Sequence, residues 1–437
     1  MKKDIKHTLL HIFVRPIIAL IPIKKYRRSI RNLIEENIGQ KQIEEIHQRY
    51  TQIIKRIKSS SKNKKIKVVF LVSENQKWNC QSVYDAMSAS EDFEPLILIT
   101  GVYSAHYKNL GKFYTSSKEN YDFFASKGMN VDYAIDLNTE EFIPLDKFAP
   151  DIIFYQQPWA IHPTQDIPKT SKFALSCYVP YGVCVINCPT DYDQTFYKEL
   201  WHQYSINEII VNHFKSQCKN LQNNYKIVGH PKLDTYLKND NDDSKGYIIY
   251  APHHSFAPSH LNFATFKWNG KFILEYAKSH PEFKFVFKPH PQLKTRLIHR
   301  KIMTEQEVNE YFEEWKKIAV FCDDADYYEL FKKSQLMITD CSSFLGEYFP
   351  STHPVINLKN KNSIGLNPFG KAITDCYYKV YNLKELKTTL KMLLEDGQDP
   401  LYEQRITTLK ELDILNTPSS TRILNLLREN LKEKVTT

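Results

Sequence analysis

At 437 residues the chain exceeds what one hydrophobic core usually organises, so two domains are expected. An apolar share of 42%, rich in Tyr and Phe, excludes a disordered chain. The formal net charge is +9, with much of the excess in the first 65 residues, which argues for local contact with an anionic surface and against a nucleic-acid binder.

The eight cysteines (Cys80, Cys177, Cys184, Cys188, Cys218, Cys322, Cys341 and Cys376) are scattered, with no CxxC pair facing a second pair. That spacing argues against a zinc site and a disulfide framework and for a reduced, cytosolic chain. The most apolar stretch, residues 8–23, carries Arg15 and is broken by Pro16 and Pro22. It falls short of the roughly 20 apolar residues a membrane span needs. A basic run follows it where a signal peptide would have small residues for cleavage.

In chain order, residues 1–65 read as a basic helical extension. Lys24, Lys25, Arg27, Arg28 and Arg31 precede an amphipathic helix with Ile43, Ile46, Tyr50, Ile53, Ile54 and Ile57 on one face. The pattern suits a peripheral contact with anionic inner-membrane lipid, and equally a helical hairpin packed on the body. From Ile66 short apolar runs alternate with helical stretches. Strands are expected at 66–72, 95–100, 131–135, 151–155 and 174–179, with helices at 78–89 and 120–127. The polar spacer 237–246 marks a boundary. Beyond it strands are expected at 247–250, 283–287, 319–322, 336–339 and 354–358, and helices at 263–280, 305–318 and 327–333. Three more helices close the chain near 382–396, 402–414 and 419–433. Such alternation predicts an α/β protein of two parallel-sheet, Rossmann-like domains at 66–240 and 241–437, the last helix being able to pack back on the first domain. Two such domains facing each other place a cleft at the carboxyl ends of both sheets.

Polar motifs follow several of these strands. In Ile338-Thr-Asp-Cys-Ser-Ser-Phe-Leu-Gly-Glu-Tyr348, Asp340 ends a strand, and Ser342 and Ser343 open a helix whose free N–H groups suit a phosphate. Asp and Ser are also the usual capping residues. In Lys288-Pro-His-Pro291 two prolines fix the backbone, so Lys288 and His290 carry the polar work, a charge for a diphosphate and a donor or proton carrier. Tyr250-Ala-Pro-His-His-Ser255 places His253 and His254 in a strand-end loop, with no third metal ligand at recognisable spacing. Val228-Gly-His-Pro-Lys-Leu-Asp234 contributes a turn, Lys232 and Asp234. DxD triplets at Asp191, Asp240 and Asp324 are discounted as chance, and GxGxxG, Walker and GxSxG patterns are absent.

Taken together, GHPKLD, IIYAPHHSF, FKPHP and ITDCSSFLGEYFPSTHPVINL resemble the signature of the CDP-glycerol glycerophosphotransferase family, the teichoic-acid polymerase type, over roughly residues 225–360. The resemblance implies a metal-independent GT-B fold without cofactor. CDP-glycerol would sit in the C-terminal domain, and a glycan or lipid-linked acceptor would enter from the N-terminal one. Carried over, Ser342 and Ser343 would bind the diphosphate, and Asp340 would orient this loop or bind the donor. Lys288, His290, Lys232 and His253 would serve the donor and leaving CMP. The family's Trp-His-Gly-Thr segment is missing, and Pro180-Tyr181 stands where its histidine is expected. His290, His254 or His162 would then supply catalysis, with Tyr181 and Trp159 placed for the acceptor. The implied enzyme works at the cytosolic face of the membrane on a capsular or teichoic-acid-like polymer. A nucleotide-sugar glycosyltransferase and a non-catalytic nucleotide- or glycan-binding relative are the competing readings.

Overall fold

The computed structural model describes residues 24–61, 64–103, 110–188, 193–218, 223–237, 246–257, 261–322 and 327–432. The stretch 8–23, the triplets at 240–242 and 324–326, Asp191 and the side chains of the basic run 24–31 lie outside this description.

Two parallel sheets dominate. The first comprises β1 (Ile66–Val72), β2 (Phe93–Ile99), β3 (Val131–Tyr133), β4 (Ile152–Tyr155), β5 (Leu175–Tyr178), β6 (His202–Ser205) and β7 (Tyr225–Ile227). The second comprises β8 (Tyr247–Ala251), β9 (Lys284–Phe287), β10 (Val320–Phe321), β11 (Ser334–Thr339), β12 (Val355–Leu358) and β13 (Tyr378–Val380). Their orders are β3-β2-β1-β4-β5-β6-β7 and β10-β9-β8-β11-β12-β13. Helices cover both faces, which is why β1 reads as the unbroken apolar run IKVVFLV. Strand order reverses between β1 and β4 and again between β8 and β11, and such reversals open crevices at the carboxyl ends.

Three strands escaped the sequence pattern. β6 is His-Gln-Tyr-Ser, with His202, Gln203 and Ser205 all buried, so no apolar alternation marks it. β7 and β13 are three-residue edge strands. The helices Glu208–Gln217, Leu293–His299 and Pro368–Thr374 were also not anticipated.

One helix runs from Lys24 to Ser60. Ile43, Ile46, Tyr50, Ile53 and Ile57 are buried and Ile54 is partly so, packed against the first core. The Tyr50 hydroxyl donates to the Glu199 carbonyl at 2.7 Å, and Arg56 pairs with Asp151 at 3.0 Å. This corrects the reading of the amphipathic face as a membrane contact, because that face is covered by the body.

Among the described residues, the two sheets are joined in at least three places. Residues 183–187 lie extended along 365–367: Asn187 N–H donates to the Gly365 carbonyl and Asn367 N–H to the Val185 carbonyl. Val183 and Val185 thereby enter a core shared with Ile249, Val286 and Phe369. The turn Pro231–Leu237 forms the second joint, and the helix Ser419–Leu431 the third. Ile423, Leu424, Leu427 and Leu431 of that helix complete the first core. Asp234 caps its start, accepting from the Ser419 and Ser420 N–H groups at 2.7 and 2.9 Å. Gly229 approaches the same place with φ +83°; a Cβ there would lie 2.5 Å from Ser419 Oγ.

Candidate active site

β8 lies between β9 and β11, so the loops that leave their carboxyl ends meet. Asp340, at the end of β11, is fully buried. Its Oδ1 accepts from the His253 N–H at 2.6 Å, and its Oδ2 accepts from the Thr265 N–H and hydroxyl at 2.6 and 2.7 Å. Burial pushes the Asp340 carboxyl up to about 6, and the hydrogen bonds from Thr265 and His253 oppose the rise. Of the two roles anticipated, the geometry gives Asp340 the orienting one. It ties the 252–255 loop to the start of the helix Phe266–Ser279, and direct donor contact is withdrawn.

Three histidines gather beside it. His290 N–H donates to the Pro252 carbonyl at 3.1 Å, binding one loop to the other. The His254 and His290 ring centroids are 3.8 Å apart, those of His253 and His254 4.4 Å, and those of His253 and His290 5.2 Å. Burial lowers all three: His254 to about 4, His290 to about 3, and His253 well below its usual range. All are therefore neutral near pH 7. Spacing along the chain showed no third ligand beside His253 and His254; the neighbouring strands β8 and β9 bring in His290, and one ring nitrogen from each lies within 4.8 Å of the others.

Lys288 follows β9 and is buried. Its Nζ lies 4.4 Å from the centre of the Tyr327 ring and 3.6 Å from Cys322 Sγ. Lys232 reaches the same tyrosine from the opposite joint, 5.8 Å from its ring. The charge of Lys232 is matched by Glu347, whose Oε1 is 3.5 Å away. Lys232, expected to serve the donor and the leaving CMP, thus has its charge already partnered. Glu347 also accepts from the Tyr327 hydroxyl at 2.6 Å, and its backbone carbonyl accepts from Tyr236. Glu347 and Tyr327 were not singled out from sequence. Glu347 falls inside the quoted motif on the buried face of its helix, and only its partner over a hundred residues earlier reveals it.

Ser342 and Ser343 open the helix Ser342–Tyr348, and both are partly exposed. They face Trp159, Tyr181, Cys184 and Cys188 across a cleft of about 680 Å³ between the two sheets. The two aromatic rings meet edge to face at 5.7 Å. Each is held from behind. Lys77 lies 5.5 Å from the Trp159 ring, and Gln157 donates to the Trp159 carbonyl. The Pro180 carbonyl accepts from Asn79 Nδ2 at 2.7 Å and from His230 Nε2 at 2.8 Å, which presents Tyr181 to the cleft. Burial raises the Tyr181 hydroxyl above its usual range, so it stays protonated and serves as a donor, not a base.

His162 does not join this group. Its ring stacks on Phe142 at 4.1 Å and meets Tyr103 at 4.7 Å, in a recess lined by first-sheet residues such as Ser73, Gln156 and Gln165. Its assignment as a base for this cleft is withdrawn.

None of the curated proteins compared matches this chain. Among solved structures, the wall teichoic acid polymerase TagF, in a variant form, superposes with TM-score 0.52 at 12% identity, over 93% of this chain and 97% of that one. A protein described as a UDP-N-acetylglucosamine 2-epimerase from Listeria monocytogenes superposes with TM-score 0.51 at 13% identity, over 85% of this chain and 100% of that one. At such identities these neighbours establish the fold, two facing parallel-sheet domains of the GT-B kind. Residues 190–360, a span that holds all four motifs, match the family described as CDP-Glycerol:Poly(glycerophosphate) glycerophosphotransferase.

Proposed function

We propose that the protein transfers glycerol phosphate from CDP-glycerol to a hydroxyl of a teichoic-acid-like or capsular surface glycan and releases CMP. The observation that carries this reading is that Ser342 and Ser343, within the family-matching span, share one cleft with Trp159 and Tyr181 of the other sheet. Serine hydroxyls and the N–H groups of the helix start receive the diphosphate. Flat aromatic faces at the opposite wall suit the apolar side of a sugar or polyol. The acceptor O–H bond breaks as its oxygen bonds to the β-phosphorus, and the P–O bond to CMP breaks in turn. The acceptor proton is taken up at the histidine cluster, and Lys288 offsets the charge of the departing CMP. The basic run Lys24–Arg31 keeps the enzyme at the anionic inner face of the membrane.

The test is incubation of the full chain with glycan acceptor and, in parallel, CDP-glycerol and a panel of nucleotide sugars. CMP release with CDP-glycerol alone supports the proposal. UDP or GDP release would make the protein a sugar transferase, and tight CDP binding without turnover would make it a binding protein.

A further inference from the structure

The histidine cluster holds a feature that phosphate binding does not account for. His254 Nδ1 is buried and has no hydrogen-bond partner. A buried ring nitrogen in that state has lost water and gained nothing, which calls for a missing partner. The surroundings are rigid. Pro252, Pro289 and Pro291 flank the three rings, Asp340 pins the His253 N–H, and His290 N–H is bonded to the Pro252 carbonyl.

We propose that His253, His254 and His290 bind a divalent transition-metal ion of the zinc class. Three imidazoles are a known donor set for such an ion, and this set leaves a fourth position open. The nitrogens lie within 4.8 Å of one another, so small ring movements bring them to the roughly 2.0 Å bonds that zinc makes.

The outer contacts set the strength. His253 Nδ1 lies 2.8 Å from Ser255 Oγ and accepts from the Ser255 N–H at 3.3 Å, so binding an ion through Nε2, which needs the proton on Nδ1, requires that second contact to loosen. His290 Nδ1 accepts from the Gln292 N–H at 3.1 Å, so binding through Nε2 requires that contact to loosen. Arg296 bears on His254 and Lys288 on His290, two cations that oppose a bound ion. Together these place the affinity below that of a closed structural zinc site. An ion held there would keep a fourth position for water and would lower that water's pKa.

The experiment uses the full chain, stripped with chelator and titrated with Co²⁺ alone, then with Zn²⁺. The expected result is one saturable equivalent of Co²⁺ with the visible absorption of four-coordinate cobalt, displaced by Zn²⁺. His254→Gln and His290→Gln should each weaken binding at least about tenfold, with circular dichroism unchanged. If His290→Gln fails to fold, His254→Gln decides. A wild-type chain without a saturable cobalt spectrum, or binding undiminished in the folded variants, overturns the site. Because the readout is independent of donor turnover, CMP release without cobalt binding sinks the metal site alone. Cobalt binding without CMP release sinks the transfer reading alone.

Discussion

Lys232 Nζ stands 3.5 Å from Glu347 Oε1, with the two side chains 10% and 1% exposed. The pair bridges the turn between the sheets and the helix that carries Ser342 and Ser343. Removing one member of such a pair leaves the other charged and dry, a loss of about 3–5 kcal/mol. Glu347→Ala should therefore lower the melting temperature sharply, while Lys232→Met/Glu347→Gln together should recover much of it. Equal losses in the single and double variants would show that the pair is not coupled.

Gly346 offers a second probe of the same helix. A Cβ added there would lie 2.5 Å from Val183 Cγ1 and 3.1 Å from Val185 Cγ1. Both valines belong to the strap that crosses from the first sheet. Gly346→Ala should destabilise the protein by about 1–3 kcal/mol through overpacking and shift Tyr181, two residues from Val183. Thermal melts with acceptor titration would register both effects, and a neutral substitution would mean the strap yields freely.

Acid should unfold the protein early. Burial depresses His202 to about 3 and His230 to about 4, against an ordinary value of 6.5. Unfolded chains take up these protons below pH 6.5 and the folded chain does not, so stability present above that value is lost as pH falls. Each group removes about 1.4 kcal/mol per pH unit in this window. Asp340 works the other way: its raised value favours the protonated folded form, so its contribution falls as pH climbs from 3.8 through about 6. These two histidines, with His253, His254 and His290 lowered in the same way, outweigh one carboxyl, and melting temperature should drop steadily from pH 6.5 to pH 4. A flat profile there would contradict the burial of these rings.

Turnover should carry the mark of Asp340. The carboxylate must be ionised to accept from both His253 and Thr265, so activity should fall as pH drops through about 6. In Asp340→Asn that acid limb should vanish and the remaining rate should be low at every pH. A variant that keeps the wild-type limb would move the titration to another group.

Lys288 rests on the Tyr327 ring at 4.4 Å, and the hydroxyl of that ring donates to Glu347. On the proposed reaction, in which its charge offsets the departing CMP, Lys288→Met should cost at least about tenfold in kcat. Tyr327→Phe keeps the ring and should show a much smaller loss. Similar losses in both would assign the effect to the hydroxyl.

How much of this was legible beforehand follows from what each residue needs. The loops after β8, β9 and β11 stood out because polar residues follow short apolar runs, and prolines flank His290. β6 did not, since a buried strand of His, Gln, Tyr and Ser lacks the usual apolar alternation. The metal-like triad was hidden because His290 joins His253 and His254 through strand adjacency, which spacing along the chain does not encode. Lys232 looked open for the same reason, its carboxylate partner being remote. The amphipathic helix 39–60 was readable as amphipathic, but what covered it was not.

The helix Ser419–Leu431 has a consequence for anyone wishing to express one lobe alone. It follows the second sheet in sequence yet fills the first sheet's interior, with Asp234 as its clasp. A fragment ending before Ser419 would expose the groove that receives Leu424 and Leu427, and a fragment starting at β8 would trail an orphaned apolar stripe. The lobes are therefore interlaced, and any opening of the jaw between them has to be a rocking about several tethers and not a swing on one.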